Sequence, residues 1–155
     1  MLGKWSISKQ GVLNFNNSSY YKRRINIIHI DDHILFSKGL RDCIIPFFPK
    51  ANIKNIINGT EALRFIENEL DNENHIDIII TDINHPGLRG DELIKKIRFY
   101  EDLFRHPRIP IIVLTMVGEE NMQHICGPGV SLITKYFSKA SEADEIIETL
   151  EDILC

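Results

Sequence analysis

The chain has no long apolar run, little cysteine and no excess of positive charge, and each shortage removes a class of function. Nothing in the 155 residues approaches the roughly 18 to 20 consecutive apolar residues that a membrane-spanning helix needs. The opening residues, Met1, Leu2, Gly3, Lys4 and Trp5, lack the apolar block of a signal peptide. Cys43, Cys126 and Cys155 are odd in number, widely spaced and without a CxxC pair, which fits neither a disulfide framework nor a zinc site. A cytoplasmic setting, away from membranes, is expected. With 18 Lys and Arg against 22 Asp and Glu, the net charge of -4 gives no broad positive field for phosphate backbones. Direct nucleic-acid binding by this chain is therefore not expected.

What remains is an ordinary globular composition, 43% apolar and 26% charged. A chain of this length buries roughly two-thirds of its unfolded surface in one domain. Residues 1–24 read as an N-terminal extension outside the core. They are polar, with Asn14, Asn16, Asn17, Ser18 and Ser19 ahead of Lys22, Arg23 and Arg24, and their apolar residues follow neither helical nor strand period. The folded domain is expected over 25–155.

From Ile25 onward, short β-branched runs alternate with segments of helical period. The pattern predicts strands over Ile25–Ile30, Asn52–Ile57, Ile76–Thr81, Ile109–Leu114 and Tyr136–Ser138. It predicts helices around Ile34–Ile45, Thr60–Leu70, Gly90–Tyr100, Glu119–Cys126 and Ser141–Leu154. Near-continuous runs such as Ile76, Ile78, Ile79 and Ile80 mean strands covered on both faces, the mark of a parallel sheet. Five successive βα units give a three-layer, doubly wound (βα)5 α/β fold. Pro46 and Pro49 end the first helix, and Ser141 ahead of Glu142 and Asp144 is the expected N-cap of the last.

The polar residues fall at one kind of place. Asp31 and Asp32 follow the first strand, Asp82 the third, Thr115 the fourth and Lys139 the fifth. In a parallel sheet these strand ends share one edge, where open α/β folds bind their ligands. Three carboxylates gathered there repel one another unless a cation lies between them, and hard oxygen ligands suit magnesium. A carboxylate so screened can attack phosphorus and form an acyl phosphate. A Lys ammonium and a Thr hydroxyl can then hold the added oxygens.

Three segments carry a resemblance: Ile28-His29-Ile30-Asp31-Asp32-His33, Thr81-Asp82-Ile83-Asn84-His85-Pro86-Gly87-Leu88-Arg89-Gly90, and Tyr136-Phe137-Ser138-Lys139-Ala140. Together they resemble the signature segments of response-regulator receiver domains, over nearly everything from Ile25 to Leu154. Leu35, Phe36, Gly39 and Leu40 after the Asp pair resemble in particular the receivers of LuxR/NarL-type regulators. The resemblance implies a flavodoxin-like, CheY-like fold with strand order 2-1-3-4-5. It implies that Asp82 accepts a phosphoryl group from a histidine kinase or phosphotransfer protein. The cofactor it implies is Mg2+ or Mn2+, with Asp32 and Asp82 as ligands, Asp31 as a ligand through water, and Asn84 offering its backbone carbonyl. Thr115 would be the switch hydroxyl, Lys139 the phosphate contact and Tyr136 the aromatic that moves with them. The output would be a remodelled face around the fourth helix, fifth strand and fifth helix, for homodimerisation, for a partner or for a C-terminal DNA-binding domain.

Two departures stand out. The stretch from Thr115 to Lys139 is a few residues longer than usual and contains Gly127-Pro128-Gly129. Ala140 stands where the family often has a cis proline, at which a non-proline cis bond would cost about 3 kcal/mol. Lys135 is the alternative phosphate contact, but only the Lys139 register puts Tyr136 in the switch position. Elsewhere, His29 reads as a strand side chain, His33 as surface, the acidic residues of the last helix as a solvated face and Cys43 as core filling. Two other functions compete. A magnesium-dependent aspartyl-nucleophile phosphohydrolase would use the same Asp, but usually needs a second Asp where Asn84 stands. A degenerate receiver would bind a partner without phosphorylation.

Overall fold

The computed structural model describes residues 23–116 and 132–154. Among them, five strands alternate with four helices: β1 (Ile25–Ile30), α1 (Ile34–Ile44), β2 (Ala51–Ile56), α2 (Gly59–Asp71), β3 (Ile78–Thr81), α3 (Gly90–Leu103), β4 (Ile111–Thr115), β5 (Lys135–Ser138) and α4 (Ala143–Leu154). The sheet order is β2-β1-β3-β4-β5 and every pairing is parallel, the doubly wound arrangement expected. The N-terminal extension, the helix expected over Glu119–Cys126 and the Gly127-Pro128-Gly129 segment lie essentially outside the described residues.

The alternation of strand side chains divides the core in two. Ile28, Ile30, Ile79, Ile111 and Val113 point to one face and pack with Ile66 of α2 and Leu93 and Ile97 of α3. Ile25, Ile27, Ile78, Ile80, Ile112 and Leu114 point to the other and meet Leu40 and Ile44 of α1 and Ile146 and Leu150 of α4. All residues of β3 and β4 are buried, which is why their sequences are unbroken apolar runs. Shortening one of these isoleucines to alanine would cost about 2–5 kcal/mol.

Most boundaries fall within the one or two residues by which strand and helix ends vary. Three shifts stand out. β3 starts at Ile78, and Asp77 before it holds β1 with both its main chain and its side chain: its N–H donates to the Asn26 carbonyl at 2.9 Å, and its carboxylate accepts the Asn26 N–H at 2.8 Å and pairs with Arg23 and His75 at 2.9 Å each. α3 runs on to Leu103 because the buried Glu101 is fully bonded, to Arg98 at 2.6 Å, Arg108 at 2.8 Å and the Ile109 N–H at 2.7 Å. α4 starts at Ala143, so Ser141 is not its N-cap. Its N–H instead closes a turn on the Ser138 carbonyl at 2.9 Å. Cys43 is only half-buried, with its neighbours Leu40 and Ile44 inside the core instead.

Candidate functional site

The carboxyl ends of β1, β3 and β4 and the residue after β5 meet at one edge of the sheet. Asp31 continues the β1 ladder, its N–H donating to the Ile56 carbonyl at 3.1 Å, and Asp82 continues β3 by donating to Ile30 at 3.0 Å. Lys139 is set against β4 by its own N–H on the Thr115 carbonyl at 3.0 Å. Backbone pairing thus brings together side chains that are up to 108 residues apart, Asp31 and Lys139.

Lys139 Nζ stands between two carboxylates, 2.6 Å from Asp31 Oδ2 and 2.8 Å from Asp82 Oδ2. The Phe36 ring closes its other side, with the ammonium 4.7 Å from the centroid. The other oxygens take backbone donors: Asp31 Oδ1 accepts the His33 N–H at 2.9 Å and Asp82 Oδ1 the Ile83 N–H at 2.6 Å. The buried Thr115 hydroxyl bonds the Asp82 carboxylate. Lys135, the alternative, is directed elsewhere, toward Thr149 of α4 at 3.2 Å and over the Phe137 ring. Tyr136 is half-buried against the α2 and α3 side of the core. Asp32 is exposed and Asn84 is likewise at the surface. The lysine is followed by Ala140 in a trans peptide, like every described bond.

The electrostatics follow from burial and from the shared ammonium. Burial pushes the Asp31 carboxyl above its usual range, outweighing the bonds from Lys139 and the His33 N–H. Burial acts in the same direction on Asp82, but bonds from Lys139 and Thr115 prevail and hold it below the usual range. Burial opposes the charge on Lys139, yet its bonds to Asp31 and Asp82 raise its affinity for the proton. The pocket is thus a pair of hard oxygen ligands drawn to one cation. Among the described residues, no three acidic, imidazole or thiol groups already converge as a ready-made metal cage. The convergence is of Asp31 and Asp82, with Asp32 exposed beside them, rather than of all three. The donor set fits a divalent ion that keeps several waters, and the lysine now occupies the position of positive charge.

The loop after Asp82 is held to the start of α2. Asn58 caps that helix by accepting the Thr60 and Glu61 N–H groups. Gly59 donates to the Pro86 carbonyl at 2.8 Å, and Leu88 to Thr60 Oγ1 at 3.2 Å. Gly87 adopts φ 76°, a left-handed conformation that glycine enters at little cost. Gly90 has no room for a side chain, since a Cβ there would collide with the Asp82 carbonyl oxygen.

Two buried histidines near Asp31 and Asp82 were not foreseen there. His29, on β1, is 2% exposed, with Nε2 3.9 Å from Asp31 Oδ2. His85 is 9% exposed, with Nε2 3.5 Å from Thr81 Oγ1, whose hydroxyl donates to the Asp82 carbonyl at 2.8 Å. A polar residue inside the apolar run of β1 was the one signal for His29. His85 carried none beyond its position three residues after Asp82.

The family model for the response regulator receiver domain matches residues 27–151. The chain belongs to this family. Among curated receivers' parent proteins, it is 27% identical over 136 residues to the transcriptional regulatory protein DegU of Brevibacillus brevis, covering 87% of this chain and 52% of that protein. It is 29% identical over 126 residues to the transcriptional regulatory protein YdfI of Bacillus subtilis, covering 81% and 53%. The chain thus spans about half the length of these two relatives. The receiver fold matches that of the chemotaxis response regulator CheY4 of Vibrio cholerae at TM-score 0.64 and 21% identity, covering 85% of this chain and all of that one. It also matches the receiver domain of the sensor histidine kinase PA1611 from Pseudomonas aeruginosa, whose structure holds a magnesium ion in the active-site cleft. There the TM-score is 0.67 and the identity 20%, covering 85% of this chain and 98% of that one. Among the described residues of this receiver, no helix is long and apolar enough to cross a membrane.

Proposed function

We propose that this receiver is a phosphorylation-controlled switch that accepts a phosphoryl group on Asp82 from a histidine kinase or phosphotransfer protein. The observation that carries the reading is the Lys139 ammonium 2.6 Å from Asp31 and 2.8 Å from Asp82, with Thr115 on the same Asp82 carboxylate. Asp31, Asp32 and Asp82, with the backbone carbonyl of Asn84, would hold Mg2+ or Mn2+. Bound there, the metal supplies charge neutralisation between carboxylate and phosphoryl oxygens. The side chain of Asp82, held deprotonated by Lys139 and Thr115, is the nucleophile: its oxygen bonds phosphorus as the P–N bond of the donor's phosphohistidine breaks, and the donor imidazole leaves with that electron pair. Lys139 then exchanges a carboxylate for a phosphoryl oxygen and Thr115 donates its hydroxyl to another. Asn84 cannot shuttle a proton, so turnover of phosphate esters is not part of this function.

Occupancy of the site shifts a population in which Thr115 and the half-buried Tyr136 rearrange together, changing the face of β5 and α4. That face would serve a partner or a second copy of the chain. The names of DegU and YdfI, both transcriptional regulatory proteins, support transcriptional control as the output of this switch. The folded domain is assigned to 25–155 and the extension to 1–24.

Acetyl phosphate with Mg2+ tests the reading. Intact mass should rise by one phosphoryl group in the wild type and stay unchanged in Asp82→Asn. An unmodified wild type, or an equally modified Asp82→Asn, would overturn it.

A further inference from the structure

We infer that His29 is a positioning residue for Asp31, taking over its carboxylate when Lys139 leaves it for the phosphoryl group. The inference rests on the function proposed above and adds a component to it.

The geometry begins with the tautomer. Asn55, the cross-strand neighbour of His29 on β2, turns its side-chain NH2 toward His29 Nδ1 at 3.5 Å, while the same nitrogen serves the His29 carbonyl at 3.2 Å and Ser37 Oγ at 3.0 Å. The two hydrogens of that NH2 go to these nearer oxygens, so the ring tautomer is set instead at Nε2, where a facing carboxylate oxygen favours a proton on the ring. That Nε2 is buried and has no hydrogen-bond partner among the described residues. It faces Asp31 Oδ2 at 3.9 Å, too far for a hydrogen bond.

A buried donor without a partner is costly, and one aimed at a carboxylate is close to having one. In the present arrangement the Lys139 ammonium ion-pairs with Asp31 Oδ2 at 2.6 Å, and the imidazole stands behind. Once Lys139 turns to the phosphoryl oxygens, His29 is the one donor among the described residues left facing this fully buried oxygen. A movement of about 1 Å brings Nε2–H into hydrogen-bond range. The ring lies tilted beside Phe36, whose centroid is 6.4 Å away at 57°. Phe36 also loses the ammonium when Lys139 moves, so the same event frees both the carboxylate and the ring wall beside it. The bond would fix which lone pairs Asp31 offers to the divalent ion, in the way that outer partners orient metal-ligating carboxylates generally.

Beryllofluoride with Mg2+ is the probe, applied to the wild type, His29→Leu, His29→Gln and Asp82→Asn. Leucine suits the apolar face around His29 and removes the donor, whereas the glutamine NH2 can replace Nε2–H. The expected result is that His29→Leu weakens beryllofluoride binding about tenfold, as loss of a hydrogen bond to a charged group does, and that His29→Gln recovers most of it. Nitrogen-15 spectra of the wild-type imidazole should show the Nε2–H tautomer throughout, with the Nε2 proton moving downfield when beryllofluoride binds. Equal binding by the wild type and His29→Leu, or an Nε2 signal unmoved in a wild type that binds, overturns the inference alone. A wild type that fails to bind, or binds no better than Asp82→Asn, overturns the phosphoacceptor reading beneath it.

Discussion

Lys139 bridges Asp31 and Asp82, 2.6 Å from one carboxylate and 2.8 Å from the other, so a single ammonium neutralises both. Removing it should leave two mutually repelling carboxylates with no positive partner. Lys139→Met is therefore expected to lower stability in EDTA by about 1–3 kcal/mol, the cost of leaving buried acceptors unsatisfied. Magnesium should restore much of that loss, because a cation then enters space the lysine had filled. Urea midpoints with and without Mg2+ measure both effects. Equal midpoints for the variant and the wild type in EDTA would refute the account.

His29 gives the metal-free protein a pH dependence. Burial, with a smaller contribution from the charge of Lys139 and against the pull of Asp82, lowers its affinity for protons to a pKa of about 4, from an ordinary 6.5. Asn55, Phe36 and Asp31 complete its surroundings. Between those two values the unfolded chain binds a proton that the folded chain refuses. Stability thus falls as pH drops through this window, at a slope of at most about 1.4 kcal/mol per pH unit from this group. Urea titrations in EDTA from pH 7 to pH 4 should show a shallower fall for His29→Leu than for the wild type. Parallel curves would mean that the imidazole protonates without unfolding cost.

The sheet was legible because parallel strands covered on both faces must be written as unbroken apolar runs, and Ile78, Ile79 and Ile80 are such a run. The edge on which the polar residues gather was legible too, since it follows from strand ends alone. What the pattern could not give was side-chain direction. Asp31 and Asp32 are adjacent in sequence, yet one is fully buried under Lys139 and the other is exposed, because neighbours at a strand end face opposite ways. Lys135 and Lys139, four residues apart, would share a face if the strand ran on, and they part because β5 ends at Ser138. Lys135 is paired with Ile112 in the sheet and reaches α4, whereas Lys139 lies beyond the strand and turns back over the pocket. Glu101 was invisible for another reason: its partners Arg98, Arg108 and Ile109 meet only after α3 has ended and the chain has reversed.

Glu101 accordingly predicts a stability effect that leaves the site alone. Its carboxylate is wholly buried and satisfied by two guanidinium groups and a backbone N–H, at the sheet edge opposite the pocket. Glu101→Ala strands the half-exposed Arg108 and the almost buried Arg98 and frees the Ile109 N–H. A loss of about 2–4 kcal/mol is expected, toward the lower part of the range because Arg108 remains hydrated. Beryllofluoride affinity, measured at a temperature where the variant is folded, should stay within a few-fold of the wild type. A large loss of affinity would mean that this end of α3 is coupled to the acceptor.

Gly90 predicts the reverse, damage to the site through the backbone. The glycine opens α3 directly behind Asp82, and its N–H donates to the Ile83 carbonyl at 2.9 Å. A Cβ at this position would collide with the Asp82 carbonyl oxygen and lie 2.7 Å from Ile83 Cα. Neither contact is with a flexible side chain, so the strain must move the main chain that carries Asp82. The Ile83 N–H now held on Asp82 Oδ1 at 2.6 Å would be displaced with it. Gly90→Ala is expected to lower stability by about 1–3 kcal/mol, as overpacking does. It should also slow phosphorylation by acetyl phosphate by more than tenfold, since misplacing a reacting group by about 1 Å can cost 100-fold. The informative comparison is with Glu101→Ala, which destabilises by a similar amount at the far edge. If the two variants lose phosphorylation equally, global stability governs the rate, and the close approach of Gly90 to Asp82 has no special part in it.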